Sequence, residues 1–176
     1  QRSSRNDQPR GRVLGLLVLA LALVASLLAA PLGATADAKG TPGLEETRQA
    51  AQQAAEAAGC ALDQIVKSII FRGEDSGKAI LFLTAGGNQV APAKASALAG
   101  EPLGKADAAL IRAQTGFAIG GVSPVGHLTP IRAFLDPKLL EFPTIWAAAG
   151  TPHHIFELES EKLAQLTGAQ TSDFTS

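Results

Sequence analysis

The chain has 176 residues, a length that suits one domain and a tail. Hydrophobic residues make up 46 % and charged residues 18 %, which allows a packed core and argues against a disordered chain. The net charge of −1 does not mark a nucleic-acid binder, although it leaves room for a local basic patch, and the single Cys60 excludes an internal disulfide framework and a cysteine-rich zinc site.

Residues 1–40 read as a segment apart from the rest. Arg5, Arg10 and Arg12 precede an uncharged run, VLGLLVLALALVASLLAA, at 13–30; Pro31 and Gly33 break it, and ATADA follows with small residues at alternate places. A basic flank, an apolar run and a small-residue site read as an export signal or a membrane span, with the rest of the chain outside the cytoplasm. A buried core helix is the plainer reading, but a helix apolar all round is rare in so small a domain. The first residue is Gln1, which admits a third reading: a stretch that lies ahead of the natural start.

Residues 41–176 read as one domain. After the GTPG turn, LEETRQAAQQAAEAAGC is an alanine-rich helix with acidic residues in its first turn and Gly59 as its stop. Ile65–Arg72 and Ala79–Ala85 are strands rich in branched and apolar residues, joined by GEDSGK as a hairpin. APAKASALAG and ADAALIRAQTG are short helices that stop at Gly100 and Gly116. A glycine-rich loop, GFAIGGVSPVGH, spans Gly116 to His127. Pro130–Asp136 follows as a strand, with Asp136 placed to cap the short PKLLEF helix; TIWAAA and HIFELE are two more strands, and SEKLAQLTG is a final helix capped by Ser160 and stopped by Gly168. Strands and helices are mixed without regular alternation, which predicts a mixed α+β fold: a mixed sheet with helices packed around it.

Lys67 stands out. Period-two alternation puts it on one face with Ile65, Ile69 and Phe71, among hydrophobic residues of a strand that reads as central. Two readings stand side by side: a lysine that snorkels to solvent, or a cation that faces a cleft and meets a phosphate or polar substrate. The glycine loop can present backbone N–H groups to an anion or an oxyanion, but its spacing is neither that of a P-loop nor GxGxxG, and an ordinary turn is the plainer reading. His153 and His154 are adjacent, so a strand turns them to opposite faces; with His127 as the remaining histidine and no HExxH spacing, no metal is expected. Cys60 follows a helix stop and reads as structural. Ser123 lacks the Gly-x-Ser-x-Gly context of a nucleophile elbow.

Taken together, ETRQAAQQAAEAAGCALDQIVKSIIFRG, TGFAIGGVSPVGH, FLD and IWAAAGTPHHIFEL resemble the YbaK/EbsC family of aminoacyl-tRNA deacylases, relatives of the editing domain inserted in bacterial prolyl-tRNA synthetases. The resemblance runs from about Glu45 to Gly168, and it implies the YbaK-like editing-domain fold, a curved, mixed, largely antiparallel sheet with helices packed around it. It implies that Lys67 is the family's key lysine, and that Gly120, Gly121, Ser123 and Pro124 belong to its Gly-x-x-x-Pro substrate loop. It implies substrate contacts from Thr47, Arg48, Ser68, Gly126, His127, Asp136, Gly150, Thr151 and His153. The implied function is hydrolysis of mischarged aminoacyl-tRNA, with Ala- or Cys-tRNA-Pro as the expected substrate, without a cofactor and without a protein nucleophile. The implied partners are the tRNA acceptor end and prolyl-tRNA synthetase. The implied location is the cytoplasm, against the export or membrane reading of 13–30. A non-catalytic module that binds aminoacyl-tRNA or a small ligand, and an exported domain of other role, are the alternatives. Residues 41–176 carry 10 Lys and Arg against 14 Asp and Glu, so tRNA binding calls for a local basic face; Lys67, Arg72, Lys78, Lys94, Arg132 and Lys138 are its candidates.

Overall fold

A computed structural model describes residues 42–176 and the pair Leu19–Ala20; the remainder of the apolar run, on which the export, anchor and membrane-contact readings rest, lies outside the described residues. Leu19–Ala20 forms a short strand, β1, paired antiparallel with Ile155 and His154. The elements that follow are α1 (Pro42–Ala58), β2 (Ile65–Gly73), β3 (Ala79–Ala85), α2 (Pro92–Ala99), β4 (Leu103–Lys105), α3 (Ala108–Thr115), β5 (Arg132–Leu135), β6 (Thr144–Ala148), β7 (His154–Glu159), α4 (Ser160–Thr167) and β8 (Gln170–Thr171). Short 3-10 turns cover Leu62–Gln64 and Pro137–Glu141. Among the described residues no helix is long and apolar enough to cross a membrane.

The strands form one mixed sheet in the order β1-β7-β6-β2-β3-β5-β8. β2 is central, as its apolar composition predicts. Its hairpin with β3 is antiparallel, with Lys67 opposite Thr84 and Phe71 opposite Ile80. On its other edge it takes two partners. β6 runs parallel beside Ile65 and Val66, and β4 runs antiparallel beside Phe71–Gly73. Between them, among the described residues, no strand pairs with the Lys67–Ile70 stretch on that edge.

Alternation along β2 gives each face its own core. Ile65 meets Trp146, Ala51 and Ala55, so α1 covers that end of one face. Farther along the same face, Ile69 and Phe71 join Ile80, Phe82, Phe134 and Phe174 beneath Ala95 and Ala99 of α2. Phe82 stacks on Phe134 at 5.1 Å between ring centroids and meets Phe174 edge-on at 5.0 Å, geometries that aromatic quadrupoles favour. The opposite face packs Val66, Leu81, Leu83, Leu135, Ile145 and Leu139 against Leu163 of α4.

Local chemistry sets the helix ends. Asp107 accepts from the Leu110 N–H at the start of α3, and Arg132 donates to the Leu98 and Ala99 carbonyls at the end of α2. Asp136 caps the Pro137–Glu141 turn through the Lys138 N–H, as expected from its place before a proline. Ser160 is not a cap. It is buried as the first helical residue of α4, and Glu159 takes the cap position with no side-chain hydrogen bond, because β7 runs into the helix without a turn between them.

Candidate active site

Lys67 is half-buried, and its ammonium donates a close hydrogen bond to the Asn88 carbonyl. Burial lowers its pKa; the nearby Asp136 carboxylate opposes this, the Arg48 guanidinium adds to it, and Asp63 opposes it more weakly. Among the described residues no carboxylate lies within ion-pair distance of Lys67. Its partner is therefore a neutral carbonyl, and the positive charge stays unneutralised at short range.

The Asn88 turn is built to hold that carbonyl. The hairpin register, with Val66 opposite Ala85, brings residues 86–88 back beside the start of β2. The Asp63 carboxylate accepts from the Gly87 N–H at 2.9 Å. Asp136 is 2 % exposed, and its Oδ2 accepts from the Ala85 N–H at 3.1 Å and from Asn88 Nδ2 at 2.8 Å. Asp136 thus spends its acceptors on protein N–H groups and holds the turn that holds Lys67. Arg48 is exposed on α1, and Thr47 beside it is half-buried.

Ser68 faces the other way, onto the side of β2 occupied by Val66 and Ile70. Among the described residues its hydroxyl is buried without a hydrogen-bond partner. Burying an unpaired hydroxyl has a cost that native structures seldom leave uncompensated. Ile70, on the same face, packs against Val122 of the glycine loop together with Ile111 and Phe117. The orphan hydroxyl therefore lies on the face that the loop covers.

The loop itself is held against the 150–152 turn. Gly120 has a φ of 86°, which a side chain would strain. At Gly121 the constraint is contact: a Cβ there would stand 2.6 Å from the Thr151 carbonyl carbon and 2.8 Å from the Pro152 nitrogen, both backbone atoms. Phe117 packs beside Gly126 and Gly150. Ser123 is buried, and its hydroxyl accepts from the Val125 N–H at 3.4 Å. His127 Nε2 lies 2.8 Å from the Ser123 carbonyl oxygen rather than the hydroxyl, so Ser123 and His127 brace the turn ahead of Gly126 and form no nucleophile–base pair. Pro124 is buried within the same turn. Thr151 Oγ1 lies 2.5 Å from His154 Nδ1, and His153 is exposed.

Two groups result. Lys67 and Asp136 meet at the Asn88 turn, with the Arg48 charge felt by Lys67; Gly120, Gly121, Ser123, Pro124, Gly126, His127, Gly150 and Thr151 gather around the loop. β2 joins them. β6 runs parallel to it with Ala147 opposite Val66, and the chain that leaves β6 forms the 150–152 turn against which Gly121 packs. Most of the other basic candidates are engaged within the protein. Arg72, Lys94 and Lys138 pair with Glu74, Asp173 and Glu141, and Arg132 caps α2. Sequence reasoning missed Asn88 and Phe117.

The aminoacyl-tRNA editing domain family matches residues 45–166, which span both groups and the strand between them. The chain belongs to that family. Editing-domain proteins similar to it include a solved candidate trans-editing enzyme for prolyl tRNA synthetase, 42 % identical, with a TM-score of 0.71 over 92 % of this chain and 87 % of that one. YwhH of Bacillus subtilis (strain 168), an uncharacterized protein, is 32 % identical over 70 % of this chain and 78 % of its own. The solved hypothetical protein APE2540 shares the fold, with a TM-score of 0.68 at 23 % identity over 93 % of each chain. The mixed sheet wrapped by helices is the fold of these structural neighbours.

Proposed function

We propose that this editing domain is a trans-acting hydrolase that removes the amino acid from mischarged tRNA, with Ala- or Cys-tRNA-Pro as its substrate, and that it works in the cytoplasm beside prolyl-tRNA synthetase. The observation that carries the reading is Lys67, a half-buried ammonium whose partner is a carbonyl and whose charge is left for an anion. A tRNA acceptor end brings phosphates to such a cation, and Arg48 adds a second positive group near it.

An aminoacyl ester is already activated. Its hydrolysis needs position, a water or hydroxyl, and stabilisation of charge at the carbonyl oxygen. The Gly120–Pro124 loop supports the first and third requirements through its backbone N–H groups. The oxygen of a water adds to the ester carbonyl carbon and gives up a proton; the bond to the ribose oxygen breaks, that oxygen takes the proton, and the amino acid leaves as a carboxylate, its acid proton passing to solvent. The unpaired Ser68 hydroxyl offers a hydrogen bond to a polar group of the substrate. A small pocket would select alanine or cysteine, the wrongly attached amino acids, by size.

The test is to incubate the full chain with a panel of correctly and incorrectly charged tRNAs and follow both tRNA binding and amino-acid release. Release confined to small amino acids on tRNA-Pro is the expected result. Tight binding with no release from any tRNA would replace the hydrolase with a binding module.

A further inference from the structure

The family match ends at residue 166, and residues 167–176 lie beyond it. In the structure this tail touches both supports of the Lys67 site. β8 pairs with β5, Leu135 opposite Thr171, and the Ser172 N–H donates to the Leu135 carbonyl at 3.0 Å, one residue before Asp136. The chain then runs beside the segment after Asn88. The Ser176 N–H donates to the Gln89 carbonyl at 3.1 Å, Val90 bridges Thr175, and the Ala91 N–H donates to the Phe174 carbonyl at 2.8 Å. Phe174 is fully buried against Phe82. Lys94 clamps the outside, at 2.9 Å from the Asp173 carboxylate and 2.8 Å from the Thr175 carbonyl.

A lysine side chain has many rotamers, so its ammonium is only as well placed as the acceptor that holds it. That acceptor is the Asn88 carbonyl, and the turn around it has two sides. Asp63 and Asp136 hold the near side through Gly87, Ala85 and the Asn88 amide. The far side, Gln89–Ala91, is paired with the tail. We infer that residues 170–176 are a positioning strap for Lys67: they tie the strand end before Asp136 to the segment after Asn88, and so fix the carbonyl that aims the ammonium. The inference rests on the reading of Lys67 as the substrate-facing cation. Phe174 is on this account a positioning residue that anchors the strap.

The test uses the full chain with two variants. Phe174→Ala removes the anchor. Lys94→Ala combined with Ser176→Pro leaves the core intact and removes the outer clamp and one backbone donor, since proline has no N–H. Lysines are labelled by 13C reductive methylation, the Lys67 signal is assigned by its loss in Lys67→Arg, and spectra are taken without tRNA. The expected result in each folded variant is a shifted or broadened Lys67 signal, with kcat for Ala-tRNA-Pro lowered about tenfold and KM changed far less. A Lys67 signal in Lys94→Ala/Ser176→Pro that superimposes on wild type, with unchanged kcat, overturns the strap, and this variant decides if Phe174→Ala does not fold. The NMR signal judges the strap even if the wild-type protein releases no amino acid, an outcome that would count against the hydrolase reading alone.

Discussion

Gly121→Ala is the most exacting perturbation of the loop. The added Cβ would stand 2.6 Å from the Thr151 carbonyl carbon, 2.7 Å from its Cα and 2.8 Å from the Pro152 nitrogen. None of these atoms is the far end of a flexible side chain. To reach an ordinary contact of 3.4 Å from 2.6 Å, the loop and the 150–152 turn must part by about 0.8 Å. Misplacement of that size at a positioning element lowers turnover about 100-fold, whereas overpacking of this kind lowers stability by only about 1–3 kcal/mol. Gly120→Ala is the internal contrast. Its Cβ has room, 3.9 Å from Pro152 Cγ, but the φ of 86° strains it by about 1–2 kcal/mol. It should lower thermal stability while costing less than about tenfold in kcat. Single-turnover deacylation with thermal unfolding of both variants measures the contrast. A Gly121→Ala protein with wild-type turnover would show that the loop does not orient the ester.

Three further outcomes follow from the site and its supports. Asp136→Asn turns an acceptor toward the Ala85 and Lys138 N–H groups into a partial donor in a buried place; chemical denaturation should show a loss of about 1–3 kcal/mol, with slower turnover as the Asn88 turn loosens. Burial makes the folded-state pKa of Lys67 lower than its unfolded value, so the folded state binds fewer protons in the window just below the ordinary lysine range. The charged lysine therefore opposes folding below that window and ceases to do so as pH rises through it; Lys67→Met should flatten this alkaline rise in melting temperature, and binding of a non-hydrolysable aminoacyl-tRNA analogue to wild type should weaken with pH before ordinary lysines titrate. Glu101 accepts from the Ser76 N–H and hydroxyl and the Asp75 N–H, which lowers its pKa and braces the β2–β3 turn. That contribution is present above the ordinary carboxylate range and is lost as pH falls through the lowered value, so Glu101→Gln should lower the melting temperature at neutral pH and narrow its gap to wild type in acid.

Much of the fold was legible because its signals are local. Branched residues from Ile65 to Arg72, the hairpin turn and the helix stops each act over a few residues, and β3 spans the predicted Ala79–Ala85. β4 and β8 were not legible. Each is two or three residues long, too short for a period, and exists because a longer strand already offers it an edge. The site shows the same division. Lys67 could be singled out as a charge among hydrophobic residues, but its partner Asn88 follows from register alone, since the β2–β3 pairing returns 86–88 to the start of β2. Asp136 reads as a helix cap in sequence and is one, yet its second task, holding Asn88, depends on a residue 48 positions away. Phe117 looked like an ordinary loop residue; only the folded chain shows it packed on Gly126 and Gly150.

The most direct test of the account is amino-acid release from Ala-tRNA-Pro and Cys-tRNA-Pro by the wild-type chain and by Lys67→Ala, with circular dichroism to confirm that both are folded. The account predicts release by wild type and a loss of turnover of at least about 100-fold in the variant, as expected when a cation that positions the substrate is removed. Equal release by the two folded proteins would contradict the role given to Lys67, and no release by wild type would contradict the hydrolase itself.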